Sequence, residues 1–276
     1  MFKIFRKSKR LKHLFLSKVF ETKTLRALKT ITVAVDAIKA YEKVKNNSHS
    51  SADKKILDFL DEYRFELSKK NNKINFNEIG NNKTFSIAEI ASKASSSKKW
   101  TSFFYELSKI KNVNNILEIG TNLGVSGQYF LKGIDEKKKS NFITIEGVKK
   151  LCEIATDRFN HISNQRRFKV IHGLYDEKLL ELKKLNIKFD LVFIDGNHRF
   201  DATIRYFELL KTQFAKNAIV IFDDIHWSFG MTRAWKSIIK DDSICFSIDF
   251  FKLGLIILNS KHKSKFNQKH NLFLSC

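Results

Sequence analysis

Five short runs dominate the middle of the chain: NILEIG from Asn115, FITIEG from Phe142, FKVIHG from Phe168, FDLVFIDG from Phe189 and AIVIFDDI from Ala218. Each is rich in β-branched and aromatic residues, and each precedes a helical stretch of about a dozen residues. This alternation predicts parallel strands joined by crossover helices, an α/β fold with a doubly wound, Rossmann-like sheet. Two further runs, ICFSIDFF from Ile244 and LGLIIL from Leu253, are separated by a single residue. They are expected to pair antiparallel at an edge. All five parallel runs end in glycine or an acid, and open α/β sheets bind ligands outside the carboxyl ends of their strands. The polar endings therefore mark one candidate site.

The regions around this core differ in charge. Residues 1–50 hold 13 Lys+Arg against Glu21, Asp36 and Glu42. They are expected to form a basic arm, helical or flexible. Within MFKIFRKSKRLKHLFLSKVF, Leu11, Leu14, Phe15 and Val19 suit one helix face. A basic amphipathic helix of this kind can lie on an anionic membrane surface through residues 1–20. The plainer readings are a helix docked on its own domain or a disordered arm. Asn46 to Lys55, NNSHSSADKK, reads as a linker. Residues 51–112 read as a helical lead-in with a polar patch, NNKINFNEIGNNKTFS; 113–260 form the α/β domain, and 261–276 a basic tail.

The formal charge of +22 favours polyanionic partners, although lysine scattered through the whole chain also makes an ordinary solvated surface. Three cysteines without C-x-x-C spacing argue against a disulfide framework or a structural zinc site and suit a reducing cytoplasm. No apolar run approaches the length of a membrane span, and no secretory signal is legible. The expected location is cytoplasmic, with a peripheral position on the inner membrane face left open. Proline is absent, so turns must rely on Gly, Asn, Asp and Ser.

The first run continues as Glu118-Ile119-Gly120-Thr121-Asn122-Leu123-Gly124, an E-x-G-x-x-x-G element. Asn122 stands where a dinucleotide fingerprint needs its second glycine, and no G-K-[ST] follows to make a P-loop. Glu146, ending the second run, can accept hydrogen bonds from ribose hydroxyls. A nucleoside without a pyrophosphate is the better expectation.

ILEIGTNLGVSG, FITIEG, FDLVFIDGNHRFDATIRYFELL and AIVIFDDIHWSFGMTRAW together resemble the class I S-adenosylmethionine-dependent methyltransferases, most of all the bacterial branch grouped as methyltransferase family 24. The likeness covers about Asn114 to Leu258. It implies a seven-stranded sheet, mostly parallel with an antiparallel last strand, to which the residues before it add a helical N-terminal extension. It also implies S-adenosylmethionine as cofactor. By this resemblance Gly120, Thr121, Asn122 and Gly124 lie along the methionine part, and Glu118 helps hold its amino end. Glu146 binds the ribose hydroxyls, Gly173, Leu174 and Tyr175 lie near the adenine, and Gly147 and Asp195 are further cofactor-binding candidates.

Methyl transfer to a hydroxyl requires alignment of the acceptor and removal of its proton. The resemblance places a base at His198, and an imidazole ordinarily titrates near neutrality. Asp195, Asp223 and Asp224 form a hard-oxygen set that suits Mg²⁺. Relatives carry Asp–Asn where this chain has Asp223–Asp224, so metal-assisted and metal-free readings both stand here. The expected activity is O-methylation of a small hydroxylated acceptor, a sugar or natural product. The runner-up acceptors are a nitrogen or a phenol. Two rivals come from other classes: a non-catalytic protein of the same fold that binds membrane or a partner through its basic arm, and a nucleic-acid methyltransferase. The second is disfavoured because no N-P-P-Y-type element occurs and the basic residues concentrate outside the α/β zone.

Overall fold

The computed structural model describes residues 2–258 and 269–274, so most of the expected basic tail, 261–276, lies outside the described residues. The chain opens with helices α1 (Phe2–Lys29), α2 (Val35–Lys45) and α3 (Ser51–Ser68), followed by strands β1 (Lys73–Phe76) and β2 (Asn81–Ser86). Helices α4 (Ile87–Ala94) and α5 (Lys98–Ser108) lead into β3 (Asn115–Ile119), α6 (Gly127–Gly133), β4 (Asn141–Glu146), α7 (Lys149–Ile162) and β5 (Phe168–His172). Then come α8 (Tyr175–Lys183), β6 (Phe189–Ile194), α9 (Phe200–Leu210), β7 (Phe214–Phe222), α10 (Phe229–Ile238), β8 (Ile244–Asp249), β9 (Gly254–Leu258) and β10 (Lys269–Asn271). All seven expected runs are strands, and the fold is α/β of the Rossmann-like type. The chain divides into two compact units: Met1–Lys39 with Lys183–Ser275, and Ala40–Leu182.

In the Ala40–Leu182 unit, β3, β4 and β5 are parallel neighbours, with Glu118 opposite Thr144 and Glu146 opposite His172. Phenylalanines tie helices to this sheet. Phe104 stacks on Phe130 at 4.9 Å, Phe130 meets Phe142 at 6.1 Å, and Phe159 bridges Phe142 and Phe168 edge-on at 5.6 and 5.4 Å. Such pairs add to the burial of apolar area.

Two lead-in expectations change in the structure. The polar patch folds as an antiparallel hairpin of β1 and β2. Its alternation supplies Ile74, 3% exposed, and an edge-on Phe76–Phe85 pair at 5.7 Å. Ile74 joins Tyr63, Leu67, Leu123, Val125 and Val148 in one apolar cluster. The stretch Asn46 to Lys55 is only half a linker, because α3 begins at Ser51. Ser50 caps α3 by accepting from the Asp53 amide. Asp53 in turn is buried among Lys43, Tyr105 and Lys109.

In the other unit β6 and β7 are parallel, while β9 runs antiparallel to both β7 and β8. The antiparallel pair β8–β9 is as expected, but it is not at an edge: β10 pairs parallel to β8 on its outer side. The two units thus contribute three and five strands of this kind among the described residues, eight in place of seven. Its short Lys-His-Asn sequence carries no strand signal, so β10 owes its conformation to its neighbour. The N-terminal helix α1 docks in this unit, where His13 Nε2 bonds the Leu272 carbonyl at 2.9 Å. Among the described residues no helix is long and apolar enough to cross a membrane.

Candidate functional site

The ends of β3 and β4 are tied by backbone and carboxylate bonds. Gly120 has φ +100°, a conformation that favours glycine, and its amide donates to the Ile145 carbonyl at 3.0 Å. Asn122 follows at φ +49°, and its amide donates to Glu146 Oε2 at 2.8 Å. The other Glu146 oxygen accepts from the Val148 amide at 3.0 Å. Burial pushes the Glu146 carboxyl up, opposed by these amides. The Gly147 amide bonds the same carboxylate, and since a carboxylate offers about four acceptor positions, one is left for a hydroxyl donor. Gly124, at φ +77°, also lies against α7: a Cβ there would stand 3.1 Å from Ala155 Cβ. Helix packing and backbone conformation therefore both call for glycine at this position.

Glu118 is placed differently. It is fully buried, accepting from Ser126 Oγ at 2.5 Å and from Thr144 Oγ1 at 2.8 Å; Thr121 Oγ1 lies 2.6 Å from the same threonine hydroxyl. Burial pushes its carboxyl up to about 8. Both oxygens are engaged within the fold, which makes Glu118 a linker of β3, β4 and the segment leading to α6.

Glu78, in the turn between β1 and β2, bonds the Lys149 amide at 3.2 Å and His172 Nε2 at 2.9 Å. Ile79 covers Gly147 so closely that a Cβ at Gly147 would collide with its side chain. The hairpin is thereby latched to the ends of β4 and β5, beside Gly173, φ +144°, and the exposed Leu174. Nothing in the sequence pattern pointed to Glu78, because the hairpin itself was not legible.

At the ends of β6 and β7 the acids converge. The Asp223 amide donates to the Ile194 carbonyl at 3.0 Å, which sets Asp223 beside Asp195. His198 Nε2 lies 3.4 Å from Asp195 Oδ1. Asp195, His198 and Asp223 each offer one ligand atom, all within 4.8 Å of one another. Burial, and then the charge of Asp223, pushes the Asp195 carboxyl well above the usual carboxylate range; Asp224 is raised by the same two causes. Asp224 takes a left-handed conformation, φ +51°, and turns to Lys252, whose Nζ is 3.2 Å from its Oδ1 and 3.0 Å from Asp223 Oδ2. Against the opposing effect of burial, Asp223 and Asp224 raise the Lys252 ammonium. Lys252 sits in the β8–β9 turn, which is held by the Ile225 amide donating to its carbonyl at 3.1 Å. The tight hairpin was legible in the sequence; that it delivers a lysine to the Asp223–Asp224 pair was not. Neighbouring His226 points elsewhere, donating and accepting with Asp249 and Lys9.

Residues 117–225 match the methyltransferase-domain family numbered 24. The structure is similar to the O-methyltransferase from Bacillus cereus in complex with SAH, with 20% identity, TM-score 0.53, and 60% of this chain and 84% of that chain covered. It is also similar to SAH-bound methyltransferase PaMTH1 from Podospora anserina, with 21% identity, TM-score 0.53, and coverage of 62% and 82%. A third similar structure is the O-methyltransferase TomG from Streptomyces achromogenes, involved in tomaymycin synthesis and solved with SAM, with 18% identity, TM-score 0.53, and coverage of 60% and 82%. No protein of curated function matches the sequence.

Proposed function

The chain carries a class I S-adenosylmethionine-dependent methyltransferase domain of the family 24 type, and on that premise we propose that it methylates a hydroxyl oxygen of a small acceptor, a sugar or natural-product alcohol. The observation that carries this reading is the His198–Asp195 pair, 3.4 Å apart and only partly covered at the end of β6. Bound S-adenosylmethionine supplies an electrophilic methyl group on a sulfonium. The Gly120–Gly124 turn, with Thr121 and Asn122, lets backbone approach the methionine part, and Glu146 accepts from the ribose hydroxyls. Gly147, Gly173 and Leu174 would flank the adenosine. Glu118 acts from beneath, by fixing the turn. His198 takes the acceptor proton as general base, with its imidazole oriented by Asp195.

A divalent ion fits the donor set Asp195, His198 and Asp223, and it would lower the pKa of a coordinated hydroxyl. Two carboxylates with an imidazole suit Mn²⁺ as well as Mg²⁺. Lys252 holds both Asp223 and Asp224, so the ion would have to displace its ammonium from Asp223, and Asp224 joins the set only if it too is released.

A second reading concerns location: a protein of the cytoplasm resting on the inner membrane face. Leu11, Phe15 and Val19 are 59%, 66% and 57% exposed, spaced one helical turn apart on the outer face of α1. Lys7 and Lys23 extend the same row. An apolar stripe with flanking cations suits an anionic bilayer.

The test is calorimetric titration with S-adenosylmethionine in Mg²⁺ and in EDTA, followed by detection of S-adenosylhomocysteine released with a panel of hydroxylated acceptors. Binding in both conditions and release with an alcohol support the proposal. Absence of binding leaves a fold without the activity, and release with amines alone moves the acceptor to nitrogen.

A further inference from the structure

A second cavity, of about 500 Å³, lies in the Met1–Lys39 and Lys183–Ser275 unit, between α1, α10 and the strands β8 and β10. Its volume falls within the range of small-molecule sites. None of Asp195, His198, Asp223 or Asp224 lines it.

The charges in this cavity do not cancel. Lys9, Lys12 and Lys236 line it against a single acid, Asp249. Asp249 is already satisfied: Oδ2 takes a bond from His226 Nε2 at 2.8 Å, and Oδ1 accepts from the Phe251 amide at 2.8 Å. Lys9 Nζ lies 3.0 Å from His226 Nδ1. An ammonium can only donate, so Nδ1 accepts and Nε2 carries the proton directed at Asp249. This Lys9–His226–Asp249 relay consumes one cation and the one acid, leaving Lys12 and Lys236. Burial lowers the Lys9 ammonium, and Lys236 lowers it further, against the pull of Asp249.

His270, on β10, is 7% exposed, and its Nε2 has no hydrogen-bond partner among the described residues. A buried polar atom left unpaired is unfavourable, so a cavity that keeps one is suited to a ligand that satisfies it. Leu16, Trp235 and Ile239 supply an apolar wall.

We propose that this cavity binds a small organic anion, an apolar body carrying one phosphate or carboxylate, with the anionic head at Lys12, Lys236 and His270 and the body against Leu16, Trp235 and Ile239. Point-charge ammonium groups without any arginine fork suit a phosphate or carboxylate head reached from several directions. The site is independent of the methyltransferase reading.

The experiment is calorimetry on the full chain with octyl phosphate, inorganic phosphate and octyl glucoside, each below its micellar concentration. Burial of the octyl chain separates octyl phosphate from inorganic phosphate and the charged head separates it from octyl glucoside, so octyl phosphate should bind at least about tenfold tighter than either control. Lys12→Glu with Lys236→Glu should weaken octyl phosphate by at least about tenfold, and Leu16→Trp, which fills the cavity without removing charge, should do the same. The melting temperature serves as the fold control and should not change. Equal binding of inorganic phosphate or octyl glucoside would overturn the organic-anion assignment. Unaltered octyl phosphate affinity in both variants, or no binding to the wild-type chain, would overturn the site.

Discussion

Lys252 and Asp223 form an ion pair at 2.9 Å, the lysine delivered by the β8–β9 turn and the carboxylate by the end of β7. The ammonium occupies the side of Asp223 and Asp224 that would otherwise face a cation. Lys252→Met should therefore raise affinity for Mn²⁺ by about tenfold or more, a gain of about 1.4 kcal/mol, as read by calorimetry. The same variant should lose about 1–3 kcal/mol of stability, below the 3–5 of a fully buried broken pair because Lys252 is 31% exposed. Unchanged Mn²⁺ affinity would show that the lysine does not compete for that place.

Turnover should depend on the imidazole at the end of β6. His198→Ala is expected to reduce kcat by about 10²–10⁴ with a hydroxylated acceptor, while leaving S-adenosylmethionine affinity near the wild-type value. A wild-type rate in this variant would leave His198 without a role in proton removal.

Glu146 anchors the Asn122 and Val148 amides at the end of β4 and keeps one acceptor position for a hydroxyl donor. Glu146→Ala should weaken S-adenosylmethionine binding by about 10–100-fold, through loss of charge-assisted acceptors worth about 1.5–3 kcal/mol. Calorimetry at fixed ionic strength measures it, and an unchanged Kd would remove Glu146 from the ribose.

The buried Glu118 carboxyl gives a pH dependence of stability with a definite sign. Its folded pKa is raised from 4.5 to about 8 by burial, so below 4.5 both folded and unfolded chains hold the proton and the full stability is present. Between about 4.5 and 8 the unfolded chain releases the proton first, and stability is lost as pH rises, by up to a few kcal/mol. Glu118→Gln keeps the shape and cannot ionise. Denaturant melts at pH 5 and pH 8 should therefore show a larger drop for the wild-type chain than for Glu118→Gln. Equal drops would contradict the burial effect.

The outer stripe of α1 can be tested without disturbing its docked side, which is held by His13. Leu11→Asp with Phe15→Asp should abolish sedimentation with anionic liposomes and leave the melting temperature unchanged. Persistent sedimentation would assign any membrane binding to scattered lysines instead.

Much of the architecture was legible because strand runs and helix periods are local. NILEIG, FITIEG, FKVIHG, FDLVFIDG and AIVIFDDI each became the expected strand. The absence of proline also had a legible consequence: among the described residues, of the seven non-glycine residues with positive φ, five are Asn and one is Asp224, leaving Phe251 in the β8–β9 turn. Asn and Asp tolerate the left-handed region because their short side chains can bond locally. The placement of polar residues at the strand ends was legible as well, since a polar residue closing an apolar run is a local signal.

What the sequence determined, then, was the alternation of strands and helices, the positions at which acids and glycines close the strands, and the likeness to one methyltransferase family. Tertiary structure alone decided which side chains meet. It turned Glu118 into the sheet, where Ser126 and Thr144 engage it, and brought Lys252 to Asp223 across 29 residues. It drew β10 onto β8 without any strand signal of its own and closed α1 over a cavity through His13 and Leu272, 259 residues apart. Hydrophobic period and turn chemistry act over a few residues. Ion pairs, buried hydrogen bonds and added strands are set by whatever the folded chain places within a few ångströms, and spacing along the sequence does not encode that proximity.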